Sequence, residues 1–108
     1  MAVNDSYTKA TDGLAGGGDL IIDGSGAGTG AVNITELAAT GDCSIKREVD
    51  TAGDGSWAVT VSIEDKTNTW HSQGNDFLCS QAQDTRLRIN NTSGGTVDVF
   101  ASGYEVDD

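Results

Sequence analysis

The chain has 108 residues, enough for one domain with a modest core and too few to enclose a large active-site cavity. Seventeen acidic residues against six basic ones give a net charge of -11, and thirteen of the acids are Asp, scattered along the whole length. That balance argues against nucleic acid as a partner, since phosphate binding needs clustered Lys and Arg, and no run nears the ~18 consecutive apolar residues of a membrane span.

In chain order, the opening residues Met1 to Tyr7 carry no basic and no apolar leader region, so classical secretion is not expected. They read as the start of a single domain spanning 1–108, with 1–18 a candidate N-terminal arm. Asp19-Leu-Ile-Ile-Asp23 is a compact apolar run, followed by the glycine-rich loop Gly24 to Gly30. Ala31-Val-Asn-Ile-Thr35 alternates, with Val32 and Ile34 on one face. Thr35 to Ala39 is the best helix candidate, at one turn. Cys43 to Val49 resumes a strand, and Trp57-Ala-Val-Thr-Val-Ser-Ile63 puts Trp57, Val59, Val61 and Ile63 on one side. The glycine-rich turn between them makes 43–50 and 56–65 a hairpin. Arg86-Leu-Arg-Ile89 alternates with both arginines outward, and Asn90 to Gly95 turns the chain into Val97 to Tyr104. The phase slips between Phe100 and Gly103, so a bulge or bend is expected there. Seven or eight short strands without helical crossovers predict an all-β, antiparallel β-sandwich, with a jelly roll favoured over an immunoglobulin-like sandwich.

Few residues assemble into chemistry. Cys43 and Cys79 are the only cysteines, too few for a four-cysteine metal site. They are either a disulfide or two buried thiols, and the sequence favours neither. His71 is the single imidazole; Ser72, its neighbour, would point to the opposite strand face, so an exposed edge or loop His is expected and no catalytic set. Gly24 to Gly30 lacks both the dinucleotide spacing and the P-loop Lys, and a strand follows where a helix would be needed. Asp50-Thr-Ala-Gly-Asp-Gly55 resembles part of a calcium loop but lacks oxygen ligands at two required positions, so a turn is expected. The Asn-X-Ser/Thr segments at Asn4, Asn33, Asn90 and Asn91 are short enough to arise by chance. Trp57 reads as core, whereas Trp70, with His71 beside it, is the candidate contact residue for a second subunit or a glycan. No cofactor and no metal are expected.

In ordinary salt a small domain with this charge repels itself. At molar salt the screening length falls to about 3 Å. The composition therefore points to a protein working in brine, the alternative being a mildly acidic protein of ordinary salt. The Asp-rich composition, the opening Met1-Ala-Val-Asn, the Gly/Thr/Ser-rich strands and the ending Arg86 to Tyr104 resemble small β-sandwich structural proteins of viruses that infect haloarchaea. The resemblance implies a non-enzymatic virion subunit on the capsid surface, of decoration or turret type, made in the host cytoplasm. It implies self-association, a trimer being one form, and contacts with other virion proteins. The competing reading is a glycan- or receptor-binding module with Trp70 as its platform.

Overall fold

A computed structural model describes every residue except 1, 2, 51, 52, 54 and 58, with the backbone alone over 59–63. Eight strands follow in chain order: β1 (Ser6–Leu14), β2 (Asp19–Ile22), β3 (Ala31–Ala39), β4 (Cys43–Val49), β5 (Val59–Lys66), β6 (Trp70–Ser80), β7 (Thr85–Asn91) and β8 (Val97–Glu105). They form two antiparallel four-stranded sheets. The first, sheet A, has the order β1-β8-β3-β6, and the second, sheet B, has β2-β7-β4-β5. The antiparallel sandwich expected from the alternation is therefore what the chain forms. Four of the pairings are nested, β1 with β8, β2 with β7, β3 with β6 and β4 with β5.

Alternation explains the best-defined strands. In β7, Thr85, Leu87, Ile89 and Asn91 are buried while Arg86, Arg88 and Asn90 lie half-exposed on the other side. Val97, Val99 and Ala101 of β8 face Leu20 and Ile22 of β2, Cys43 and Ile45 of β4, and Val32, Ile34, Leu37 and Ala39 of β3 in one core. Asn91 is polar yet only 1 % exposed. Its Nδ2 donates to the Leu14 and Gly95 carbonyls, each at 2.8 Å, and its Oδ1 accepts from Ser93, so the 91–95 turn is locked from inside.

Three expectations change. Residues 6–14, expected within an arm, are β1, an edge strand held to β8. Thr35 to Ala39 continues β3 in place of a helical turn, because Leu37 and Ala39 alternate into the core. The irregularity expected near Phe100 to Gly103 sits on the partner strand: Ile34 pairs with Gly103 and Glu36 with Ser102, leaving Thr35 as the extra residue. The Asn33 carbonyl passes so close to Gly103 that a Cβ there would overlap it, so that position requires glycine. On the other side of β3, Gly74 to Asp76 face Thr35 alone. This bulge bends β6, which is an edge strand. The inward side chains expected at Val59, Val61 and Ile63 lie outside the described residues.

Candidate functional site

The two tryptophans exchange the burial expected of them. Trp70 opens β6 with its ring in the core, 8 % exposed, and its Nε1 donates to the Gly41 carbonyl at 3.0 Å. It offers no platform to a partner. The reason is local: β3 ends at Ala39, the chain turns at Gly41, and that turn carbonyl supplies the acceptor a buried indole needs. His71 follows on the outward side of the edge strand, exposed, with Nε2 2.9 Å from Glu36 Oε2. Ser72 accepts from Asn75 Nδ2 at 3.0 Å.

Trp57 precedes β5 and is half-exposed. The Arg86 guanidinium lies 4.1 Å from its ring centroid. Arg86 is itself held, its Nε donating to Glu48 Oε1 at 2.8 Å, while Arg88 Nη2 reaches Glu48 Oε2 at 3.0 Å. The indole therefore rests on a guanidinium that cannot easily move.

Beside this ring is a cavity of about 220 Å³, lined by Asp23, Trp57, Ser80, Gln81 and Asp84. Asp23 comes from the end of β2, and Ser80, Gln81 and Asp84 come from the end of β6 and the turn into β7. That turn is well fixed. Ser80 Oγ donates to Asp108 Oδ1, Ala82 N donates to Asp108 Oδ2 at 3.1 Å, and Gln83 N donates to Ser80 Oγ at 3.1 Å. Asp84 sits at φ 53, a left-handed conformation that Asp tolerates. Asp23 accepts from the Ser25 amide at 3.0 Å and its hydroxyl at 2.5 Å. Partial burial pushes the Asp23 carboxyl up, but the Ser25 hydrogen bonds and the Lys9 charge outweigh it and hold the pKa below its ordinary value. Asp23 is thus ionised at neutral pH.

Cys43 and Cys79 are both buried free thiols, which removes the disulfide alternative. Strand register explains why. The Cys79 sulfur meets the backbone of Leu87, which pairs with Arg47, four residues along β4 from Cys43, roughly 13 Å at ~3.3 Å per residue. A disulfide needs Cα atoms within ~7 Å. Burial pushes both thiols up, Cys79 to about 12.

The glycine-rich loop 24–30 links β2 in one sheet to β3 in the other. Glu105 accepts from Thr29 N at 3.0 Å, so an acid occupies the place where a phosphate loop would need its ligand. The Asp50 to Gly55 segment falls partly outside the described residues; within them, Asp50 Oδ2 accepts from Gly55 N at 2.6 Å, a turn contact. Among the described residues no group of three or more His, Cys, Asp or Glu side chains is placed to hold a metal ion.

A second surface is the outward side of sheet A. Cross-strand partners share a face, so Ala10, Phe100, Ala38 and His71 form one row, and Thr8 and Ser102 lie in the next. Tyr104 pairs with Asn33, whose Nδ2 donates to the Tyr104 hydroxyl at 2.9 Å. Phe100 and Tyr104 are each 37 % exposed. Along these rows the acid among the described residues is Glu36, tied to His71, with Asp12 and Asp98 at one end.

Comparison with known proteins gives one clear relative. The chain is 35% identical over 103 residues to Gp30 of Haloferax tailed virus 1, covering 93% of this chain and 88% of that protein. No family model matches. Among solved structures, the Drosophila NLP-core is similar at 15% identity over 95% of this chain and 99% of that one, with a TM-score of 0.46. The Yersinia pseudotuberculosis-derived mitogen is similar at 17% identity, covering 100% of this chain and 91% of that one, with a TM-score of 0.41. At those scores neither structure carries an argument about function.

Proposed function

Because the chain belongs to the family of Gp30 of Haloferax tailed virus 1, we propose that it is a non-enzymatic subunit on the outer surface of a haloarchaeal virus capsid, of decoration or turret type. The observation that carries this reading is the extent of that likeness, which runs through nearly the whole of both chains. A shared viral ancestry for the complete domain fits a structural part better than a grafted catalytic site would.

Three features support it. The nested eight-strand pairing suits a jelly roll, and in this reading the domain is one, a stiff body for building on a shell. The net charge of -11 suits a body immersed in brine, where screening removes most of the self-repulsion. The outward side of sheet A, with Phe100, Tyr104, Ala10 and Ala38, offers a neighbouring copy a partly apolar strip flanked by Asp12, Asp98 and Glu36. Contact there gains from apolar burial, at about 25 cal/mol per Å², which salt does not screen. Self-association through this face, with a trimer as one form, is part of the proposal.

Purified virions of the source virus test it. The protein should be present in stoichiometric copies by mass spectrometry, and cryo-EM density on the capsid exterior should fit the two-sheet body. Its absence from purified particles overturns the reading.

A further inference from the structure

We propose that the cavity beside Trp57 is a subsite for one neutral pyranose ring, the indole taking the sugar's apolar face and Asp23, Gln81 and Asp84 its hydroxyls. This goes beyond a structural role on a capsid and does not depend on it. At about 220 Å³ the cavity is smaller than the ~300–1,000 Å³ that receives drug-sized ligands, and it has room for a single ring. Its walls combine one aromatic plane with polar groups from two other parts of the chain, Asp23 after β2 and Ser80, Gln81 and Asp84 around the turn into β7. Gln81 both donates and accepts, while the two carboxylates accept, so a ligand rich in O–H donors satisfies them.

Charge selects among the ligands that could enter. Asp23 and Asp84 repel an anion. A cation would find two carboxylates, but Arg86 already lies 4.1 Å from the Trp57 ring centroid, uses that ring's negative face and puts a positive charge behind it. A neutral ring with an apolar side avoids both conflicts. It also binds through contacts that molar salt leaves intact, whereas ionic ligands are screened there. The platform is rigid before binding, since Glu48 fixes Arg86 under the indole, and rigidity lowers the ordering cost of association.

The test is titration of the full chain, in molar KCl, with the methyl glycosides of glucose, galactose, mannose and N-acetylglucosamine. Saturation-transfer NMR and tryptophan fluorescence report binding; Trp70→Phe leaves Trp57 as the sole indole. At least one glycoside should give a saturable signal that is insensitive to further KCl. Trp57→Ala should weaken it about tenfold or more. Gln81→Ala, at an exposed rim position that does not support the fold, should weaken it as well. Unchanged circular dichroism and melting show each variant folded. The proposal is overturned if no glycoside saturates, or if folded Gln81→Ala and Trp57→Ala both bind as the parent does. It is equally overturned if methylammonium chloride binds the site and the glycosides do not. A subunit found in virions that binds none of the sugars removes this inference alone; a sugar-binding protein absent from virions removes the capsid reading alone.

Discussion

The outward faces of the two sheets have the same pleat and use charge in opposite ways. On sheet B, Arg86 and Arg88 flank Glu48, whose side chain is 4 % exposed, with ion pairs of 2.8 and 3.0 Å, and Asp19 stands 3.7 Å from Arg88. Lys46 pairs with Arg88 across the sheet, so half of the six bases gather on this one face. On sheet A the corresponding rows are Thr8, Ala10, Ala38, Phe100 and Ser102, with Glu36 tied to His71 at the edge. The contrast teaches that scarce positive charge is used to fasten the domain to itself. The face left without it is the one free to meet another surface when brine mutes long-range attraction.

The largest expected effect is on sheet B. Glu48→Ala removes the shared counter-charge of two partly buried guanidinium groups, Arg88 keeping Asp19 at 3.7 Å, and the lost charged hydrogen bonds should cost about 1.5–3 kcal/mol. Urea unfolding in molar KCl measures it. A cost under about 1 kcal/mol would reduce the network to the worth of an exposed ion pair and erase the contrast between the faces.

Salt gives the next effect. With a net charge of -11, the melting temperature should climb by several degrees as KCl rises from dilute buffer to the molar range. Glu48→Ala should lower the whole curve without flattening it, because the climb comes from scattered surface acids. A flat curve for the parent protein contradicts the brine reading of the composition.

The thiol between the sheets separates surface from core behaviour. Burial raises Cys79 from 9.0 to about 12, so the folded state favours the neutral thiol. Its contribution to stability is complete below the unfolded value near 9 and is lost as pH rises toward 12. Between these limits Cys79→Ala should lose less stability with pH than the parent, in parallel melts. Dithionitrobenzoate at mildly alkaline pH should leave Cys79 unmodified until denaturant is added; rapid reaction in the native state would mean that the two sheets separate readily.

Much of this architecture was legible because alternation is a direct record of burial. β7 reads from its sequence almost residue by residue, and the hairpin of β4 and β5 follows from the glycine-rich turn between them. β1 and β6 were not legible. The half-buried side of β1 includes Tyr7, Lys9 and Thr11, so only one of those three reads as apolar, and Lys9 spends its charge on the Ile21 carbonyl of the other sheet at 2.6 Å. In β6 the three-residue bulge at Gly74 to Asp76 breaks the two-residue period. The candidate site was missed for the same reason. Strand phase assigned Trp57 inward, but it stands ahead of β5, where phase no longer governs, and turns over Arg86. Trp70 reads as a contact residue because the acceptor that lets it be buried, the Gly41 carbonyl, is 29 residues away. Gln81 and Asp84 lie in a short turn that carries no signal of a cavity until the fold brings Trp57 beside it.

The smallest expected change in folding is on sheet A, and it is the sharpest test of the comparison. Phe100 is 37 % exposed and its row contains Ala10 and Ala38, so its ring covers little that the domain itself needs dry. Phe100→Asp should therefore alter unfolding free energy by no more than about 0.5 kcal/mol. Its effect should instead fall on association, since a charge placed in the middle of a self-complementary patch meets its own copy across the contact. Sedimentation velocity in molar KCl separates the two: the parent should sediment as an oligomer and Phe100→Asp as a monomer with an unchanged melt. A variant that loses more than about 1 kcal/mol of stability would make this face part of the domain's own packing. One that still associates would move the contact elsewhere on the body, and with it the idea that charge was withheld here for a neighbour.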